Sequence, residues 1–137
     1  MWLIETDVFH LPQLCKHLNA LRHLYDNLQI FTNISFESRN DIYVREMIDL
    51  GEKVLVKALE KAHWQPTDLD YIITVSCTGI MIPSLDAYLI NKVKLRQDIV
   101  RLPVTEMGCA AGISGMIYAK EFLKANPGKR AAVIAVE

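Results

Sequence analysis

The segment Tyr71–Ser76 constrains the fold most, because it is a nearly continuous run of apolar and β-branched residues. A strand of this composition is typical of the centre of a parallel sheet, where both faces are buried. Parallel strands need long crossover connections, which are usually helices packed on the sheet. Helical patterns precede and follow this segment. The chain is therefore predicted to be an α/β protein with a mostly parallel central sheet and helices on both faces.

Helical and strand patterns alternate downstream of residue 40. In the first helix the apolar residues share one face, and Asn40 or Asp41 is the expected N-cap. Gly51 lies on the apolar face, which predicts that another backbone passes close to it. Pro83 is expected in the first turn of the second helix. The predicted elements are helices over 41–62, from Pro83 through 85–93, and over 110–125, and strands over 71–76, 99–105 and 131–136.

The first part of the chain has weaker patterns. Leucines at helical intervals in Leu11–Leu28 predict an amphipathic helix. Its leucine face is expected to pack into a core, because the opposite face lacks the strongly basic character of a membrane-surface helix. Ile30–Glu37 alternates weakly and predicts either a short strand or an ordered loop.

Charge and hydropathy exclude several functions. The formal net charge of −1 provides no basic field for nucleic acid or an acidic membrane. The longest uncharged apolar segments, Cys109–Ala119 and Ala131–Val136, are much shorter than the roughly 20 residues needed to cross a bilayer. Hydrophobic residues make up 51% of the 137 residues, which predicts apolar surface that a partner subunit or further chain would cover.

The cellular location is expected to be the cytoplasm. The start, Met1–Asp7, has no basic segment and contains two acidic residues, so it does not resemble a secretory signal. The three cysteines are widely spaced, odd in number and surrounded by apolar residues, which fits reduced thiols better than a disulfide framework.

Cys109 has the sequence setting of a nucleophile. Gly108 allows a sharp turn at the end of the preceding strand, and the small residues after Cys109 can begin a tightly packed helix. A helix N-terminus favours the thiolate, which is the reactive form of cysteine. Free cysteine is also a common small core residue, and Cys109 looks buried. The spacing alone leaves both interpretations open.

The other cysteines and histidines have less specific settings. Cys15 and Cys77 are interpreted as core thiols, because no base is placed beside either of them. His63 follows a helix and is expected to interact with the last carbonyls. Cys15, His17 and His23 are close in sequence, but they lie in a leucine-rich helix and do not provide four compactly spaced ligands. We therefore predict no metal site.

Three segments resemble one known family. They are Ser76–Asp86 (SCTGIMIPSLD), Arg101–Val104 (RLPV) and Glu106–Gly112 (EMGCAAG). They are similar to the type III polyketide synthases of the chalcone synthase group, which have the thiolase fold. The resemblance is good over residues 39–137 and poor over residues 1–38. Since the thiolase fold is a duplicated unit, the resemblance implies that residues 1–137 form a partial N-terminal domain, without the C-terminal half.

The resemblance implies an acyltransferase. A cysteine thiolate would accept a starter acyl group from acyl-CoA, and malonyl-CoA would extend it by decarboxylative condensation. Cys109 matches the nucleophile, and Thr78 lies in the stretch that lines the acyl cavity. Ile82 matches the residue that reaches into the neighbouring subunit of a homodimer, and Arg22 resembles a region near the coenzyme A entrance. Both CoA thioesters are substrates, so no cofactor is expected.

The resemblance also implies a histidine and an asparagine from the C-terminal half. Every histidine of this chain precedes the cysteine: His10, His17, His23 and His63. The resemblance therefore implies a fragment that is inactive in condensation by itself. Two alternatives remain open: a condensing enzyme similar to ketoacyl synthase III, and a non-catalytic domain that self-associates through its apolar surface.

Overall fold

A computed structural model describes residues 2–5, 8–10 and 35–136. The helix predicted over Leu11–Leu28 lies outside these residues, as does Arg22. Most of the segment Ile30–Glu37 also lies outside them, and its last two residues belong to a helix rather than to a strand or loop.

The described residues form one five-stranded sheet with the order β2-β1-β5-β3-β4. β3 pairs in parallel with β4 on one side and with β5 on the other. At the other edge, β1 pairs antiparallel with both β5 and β2. The strands are β1 (Trp2–Glu5), β2 (Val8–His10), β3 (Tyr71–Val75), β4 (Val100–Val104) and β5 (Arg130–Ala135). The α/β prediction is confirmed, with two antiparallel strands added at one edge.

In the described part of the chain, three α-helices cover the sheet: α1 (Phe36–Ala62), α2 (Leu85–Val93) and α3 (Ala111–Ala125). All five residues of β3 are buried, and alternate residues enter two different cores. Ile72 packs in the core formed by α1 and α2, whereas Ile73 and Val75 pack in the core that contains α3. The prediction of helices on both faces of a buried central strand is therefore confirmed.

The first helix begins earlier than the sequence predicted. Ser35 is its N-cap, and the Ser35 hydroxyl accepts a hydrogen bond from the Ser38 backbone N–H at 3.2 Å. Asn40 and Asp41 lie inside the helix, so the prediction that either residue caps it was wrong. The helix ends at His63, whose left-handed backbone (φ 56°) directs its N–H toward the carbonyl of Glu60 at 3.1 Å.

Two expectations about α1 and α2, which share one face of the sheet, were also wrong. A Cβ on Gly51 would lie 3.3 Å from both terminal methyl groups of Leu85, so a side chain rather than a backbone packs against this glycine. Pro83 precedes the N-cap of α2, which is Ser84, and so lies outside the helix. The C-terminal end predicted for α2, at Val93, agrees with the structure.

Helix α3 packs closely on the sheet. A Cβ on Gly115 would lie 3.1 Å from a methyl group of Val133 and 3.2 Å from one of Val75, so only a very small residue fits there. Its opposite face is also apolar but is open to solvent, where Ile113 is 62% and Ile117 is 52% exposed. None of the described helices is both long enough and apolar enough to span a membrane.

Candidate active site

The candidate site lies where the carboxyl ends of β3 and β4 meet. Because the two strands are parallel neighbours, the loops that follow them leave the same edge of the sheet. The Ser76 backbone N–H donates to the Val104 carbonyl at 3.1 Å, which continues the strand pairing beyond the end of β3. Residues 76–82 follow β3 and are called the cavity loop below. The cysteine loop, residues 105–110, follows β4.

The cysteine loop makes an abrupt turn before α3. Glu106 and Gly108 both have left-handed backbone conformations, with φ values of 62° and 57°. No heavy atom lies within 4 Å of a Cβ placed on Gly108, so its backbone conformation, and not lack of space, favours glycine there. A short 3₁₀ turn over Gly108–Ala110 then leads directly into α3. The predicted sharp turn between the strand and the helix is confirmed.

Cys109 lies in this 3₁₀ turn, two residues before the first residue of α3. Its side chain is exposed, so the expectation of a buried cysteine was wrong. The N-cap of α3 is Ala110, which has no side chain able to cap the free N–H groups of the first turn, and the first turn contains no acidic residue. This end of a helix favours a nearby anion. A thiolate at Cys109 is therefore accessible to a reagent and placed near the positive end of a helix.

The cavity loop carries two of the other predicted site residues, Thr78 and Ile82. Thr78 is exposed, and Ile82 is 89% exposed. Cys77 is exposed as well, so its interpretation as a core thiol was wrong. Cys15 lies outside the described residues. The structure thus brings the loops of Cys109, Thr78 and Ile82 together at one edge of the sheet.

Side chains of helix α1 form hydrogen bonds with the cavity loop and pack against it. The Asn40 side chain donates to the Ile80 carbonyl at 2.9 Å and accepts from the Ile80 N–H at 2.8 Å. The Tyr43 hydroxyl is hydrogen-bonded to the Ser76 hydroxyl. The Tyr43 ring lies so close to Gly79 that a Cβ there would overlap it. These contacts were not predicted, because the sequence gives no signal that joins residues 40 positions apart.

A buried carboxylate anchors the end of the cavity loop. Asp86, in the first turn of α2, has a fully buried side chain. One carboxylate oxygen accepts from the Thr74 hydroxyl of β3 at 3.2 Å, and the other accepts from the Arg101 Nε of β4. Asp86 therefore ties α2 to both strands whose carboxyl ends form the site.

Asp70 lies at the opposite end of the parallel strands, where β3 begins, and connects several residues there. Its carboxylate accepts from Lys129 Nζ at 2.9 Å, from Arg96 Nη1 at 3.0 Å and from the Arg130 N–H at 3.1 Å. Burial opposes ionisation, but these hydrogen bonds and nearby positive charges outweigh it, so the pKa of Asp70 lies below its usual value. This cluster stabilises the carboxylate at the start of β3.

Among the described residues, His63 does not join the site. His63 is exposed at the end of α1, and its backbone N–H makes the predicted contact with a late carbonyl of the helix. The side chains of the other three histidines lie outside the part of the chain whose side chains are described. No group of three or more His, Cys, Asp or Glu side chains that could hold a metal ion is present among the described residues.

The sheet, the cavity loop and the exposed cysteine at the start of α3 can be compared with known proteins. The family model for the N-terminal domain of chalcone and stilbene synthases matches residues 14–137. The chain therefore belongs to the chalcone and stilbene synthase family, the type III polyketide synthases, and its fold is thiolase-like.

Relatives of known name agree with this assignment. The 1,3,6,8-tetrahydroxynaphthalene synthase of Streptomyces coelicolor is 41% identical over 74% of this chain and 27% of the relative. The phloroglucinol synthase of Pseudomonas fluorescens is 34% identical over 85% of this chain and 34% of the relative. The chain thus spans about a third of the length of these curated relatives.

Solved structures share the fold. The crystal structure of the Streptomyces coelicolor tetrahydroxynaphthalene synthase superposes with a TM-score of 0.74 at 31% identity, covering 98% of this chain and 44% of that one. A polyketide synthase of the brown alga Ectocarpus siliculosus gives a TM-score of 0.71 at 34% identity, covering 74% of this chain and 27% of that one.

Proposed function

We propose that this chain supplies the acyl-accepting part of a type III polyketide synthase, with Cys109 as the nucleophile. The exposed position of Cys109 at the start of α3, inside the region that the family model matches, carries this proposal. The Cys109 thiolate attacks the thioester carbonyl of an acyl-CoA and forms a tetrahedral intermediate. Collapse of that intermediate expels the coenzyme A thiolate and leaves the acyl group on Cys109.

The extension step uses malonyl-CoA. Loss of carbon dioxide from the malonyl group generates an enolate, which attacks the Cys109 thioester carbonyl and displaces the Cys109 thiolate. This step needs donors that stabilise the enolate and the oxyanion, and removal of one such donor typically slows catalysis by about a hundredfold to a thousandfold. The family resemblance implies that a histidine and an asparagine of the C-terminal half supply these donors, and no histidine follows Cys109 in this sequence. We therefore propose that the 137-residue chain accepts an acyl group but does not extend it.

The cavity loop and residue 22 have supporting roles in this proposal. We propose that Thr78 lines the acyl cavity, and the role of Arg22 at the coenzyme A entrance rests on the family resemblance, since Arg22 lies outside the described residues. Ile82, which is 89% exposed, extends into the cavity of a second subunit. Together with the apolar outer face of α3, this exposure supports a homodimer. We also propose that the protein acts in the cytoplasm.

Loading of the isolated chain tests the proposal. The chain is incubated with acetyl-CoA, a medium-chain acyl-CoA or malonyl-CoA, and intact mass spectrometry measures any acyl adduct. We expect one adduct that is lost in Cys109→Ala and retained in Cys77→Ala, the control that removes the other exposed cysteine of the described residues. An adduct that persists in Cys109→Ala, or no adduct under conditions where the chain is folded, contradicts the proposal.

A further inference from the structure

The cavity loop displays its side chains rather than burying them. Cys77, Thr78 and Ile82 are exposed, and Ile80 is 61% exposed. Within the cavity loop, Met81 is the hydrophobic residue that packs, partly buried, against the α1–α2 core. Burial of these side chains therefore contributes little to fixing the backbone. The loop needs external hydrogen bonds or packing if it is to keep one conformation.

Asn40 supplies such hydrogen bonds at the middle of the loop. Its amide satisfies both backbone groups of Ile80, at 2.9 Å for the carbonyl and 2.8 Å for the N–H. Only an amide side chain combines a donor and an acceptor in this geometry, because a carboxylate has no proton to offer the carbonyl. Asn40 therefore acts as a substitute for a neighbouring strand and holds the backbone at one point.

Tyr43 holds the first part of the loop. It lies three residues after Asn40 in α1, so the two side chains lie on the same side of the helix. Its hydroxyl is bonded to Ser76, and its ring lies against Gly79, where no Cβ fits. The 27-residue helix thus contacts the loop at Ser76, Gly79 and Ile80.

We propose that Asn40 and Tyr43 are positioning residues for the acyl-accepting site. They fix the backbone on both sides of Thr78, so that this residue faces the acyl group, and they direct Ile82 outward for the second subunit. The inference rests on the proposed function of Cys109 and extends it to two residues that do not touch the reacting atoms. Misplacement of a supporting group by about 1 Å can slow a reaction by as much as about a hundredfold.

Amide hydrogen exchange tests the structural part of this proposal. Ile80 is an exposed residue, so protection of its N–H reports the bond to Asn40. We expect Asn40→Ala to accelerate exchange at Ile80 by about tenfold or more. Asn40→Asp keeps the acceptor for this N–H, so its exchange rate should lie between those of the wild type and Asn40→Ala.

Asn91→Ala is the matched control. Asn91 also makes an exposed side-chain bond to a helix carbonyl, that of Ala87 at 3.0 Å, but it lies in α2 away from the loop. This variant should leave the exchange of Ile80 unchanged. Equal acceleration in Asn91→Ala, or unchanged exchange of Ile80 in Asn40→Ala, overturns the proposal.

The rate of Cys109 acylation tests the functional part. We expect the second-order rate constant with acyl-CoA to fall about tenfold in Asn40→Ala, to recover partly in Asn40→Asp, and to stay within about twofold in Asn91→Ala. An undiminished rate in Asn40→Ala, with faster exchange at Ile80, would refute a role in positioning. If the wild type forms no adduct while Ile80 exchange responds as expected, the proposed function of Cys109 fails and the structural role of Asn40 stands.

Discussion

Removal of Arg101 should destabilise the chain more than neutralisation of its partner Asp86. The Asp86 side chain is fully buried, whereas Arg101 is 43% exposed on the edge strand β4. When Arg101→Ala removes the cation, the buried Asp86 carboxyl group loses its charged partner and retains only the Thr74 hydroxyl and its place in the N-terminal turn of α2. When Asp86→Asn removes the charge, Arg101 can turn into solvent.

The burial of Asp86 sets the expected changes in the free energy of unfolding. An unpaired buried charge typically costs about 3–5 kcal/mol, and the remaining contacts of Asp86 should bring the cost of Arg101→Ala to the bottom of that range or just below it, at about 2–3 kcal/mol. Asp86→Asn keeps the shape and can still accept from Thr74, so it should cost about 1 kcal/mol. The double variant contains no buried charge and should resemble Asp86→Asn. The two changes should therefore be non-additive by about 2–3 kcal/mol.

Urea denaturation of the four proteins at pH 7, followed by far-ultraviolet circular dichroism, measures these differences. The comparison uses midpoints at equal slope, because a changed slope reports a different denatured state. An Asp86→Asn variant that is as unstable as Arg101→Ala, or additive effects in the double variant, would refute the argument. Either result would mean that the attraction of the pair, and not the cost of an orphaned carboxylate, sets the stability.

Three further predictions follow from the packing and charge of the described residues. Gly79→Ala should destabilise the chain by about 1–3 kcal/mol through overlap with Tyr43. In urea denaturation, the double variant with Tyr43→Ala should lose less stability than the sum of the two single losses, because the overlap is then absent. Additive losses would contradict the overlap. Because the pKa of Asp70 is lowered in the folded chain, its contribution to stability is complete above the unfolded value of about 3.9 and is lost as the pH falls through the lower folded value. Asp70→Asn should weaken this pH dependence in denaturation at several pH values. An unchanged dependence would count against the cluster. The chain should self-associate in sedimentation equilibrium and do so less in Ile113→Lys, whereas a monomer at all concentrations would disprove an interface on α3.

The central strand and the helix after it were predictable because their signals are local. Tyr71–Val75 is apolar on both faces, and this composition alone predicts burial between two layers. The body and the C-terminal end of α2 follow from its apolar spacing and from the basic residues at its end. The turn at Gly108 was also predictable, since glycine is the residue that most readily adopts a left-handed backbone.

The misplaced start of α1 shows where local signals fail. Asn40 and Asp41 are good N-cap residues, but Ser35 caps the helix, and Asn40 bonds to Ile80, 40 positions away. The exposure of Cys77 was missed for a related reason. Its apolar neighbours predict burial, whereas its place beyond the end of β3 puts it at the edge of the sheet. Tertiary structure explains why Asn40 bonds elsewhere and why Cys77 is exposed, whereas the cap at Ser35 is a local bond to Ser38 that the sequence could have indicated.

The relative reactivity of the cysteines tests the role of Cys109 most directly. The folded chain is alkylated with iodoacetamide, and peptide mass spectrometry follows each cysteine with and without saturating acyl-CoA. We predict that Cys109 reacts faster than Cys77, although both are exposed, and that acyl-CoA protects Cys109 alone. Faster alkylation of Cys77, or no protection of Cys109 by acyl-CoA, would contradict the assignment of Cys109 as the acyl-accepting nucleophile.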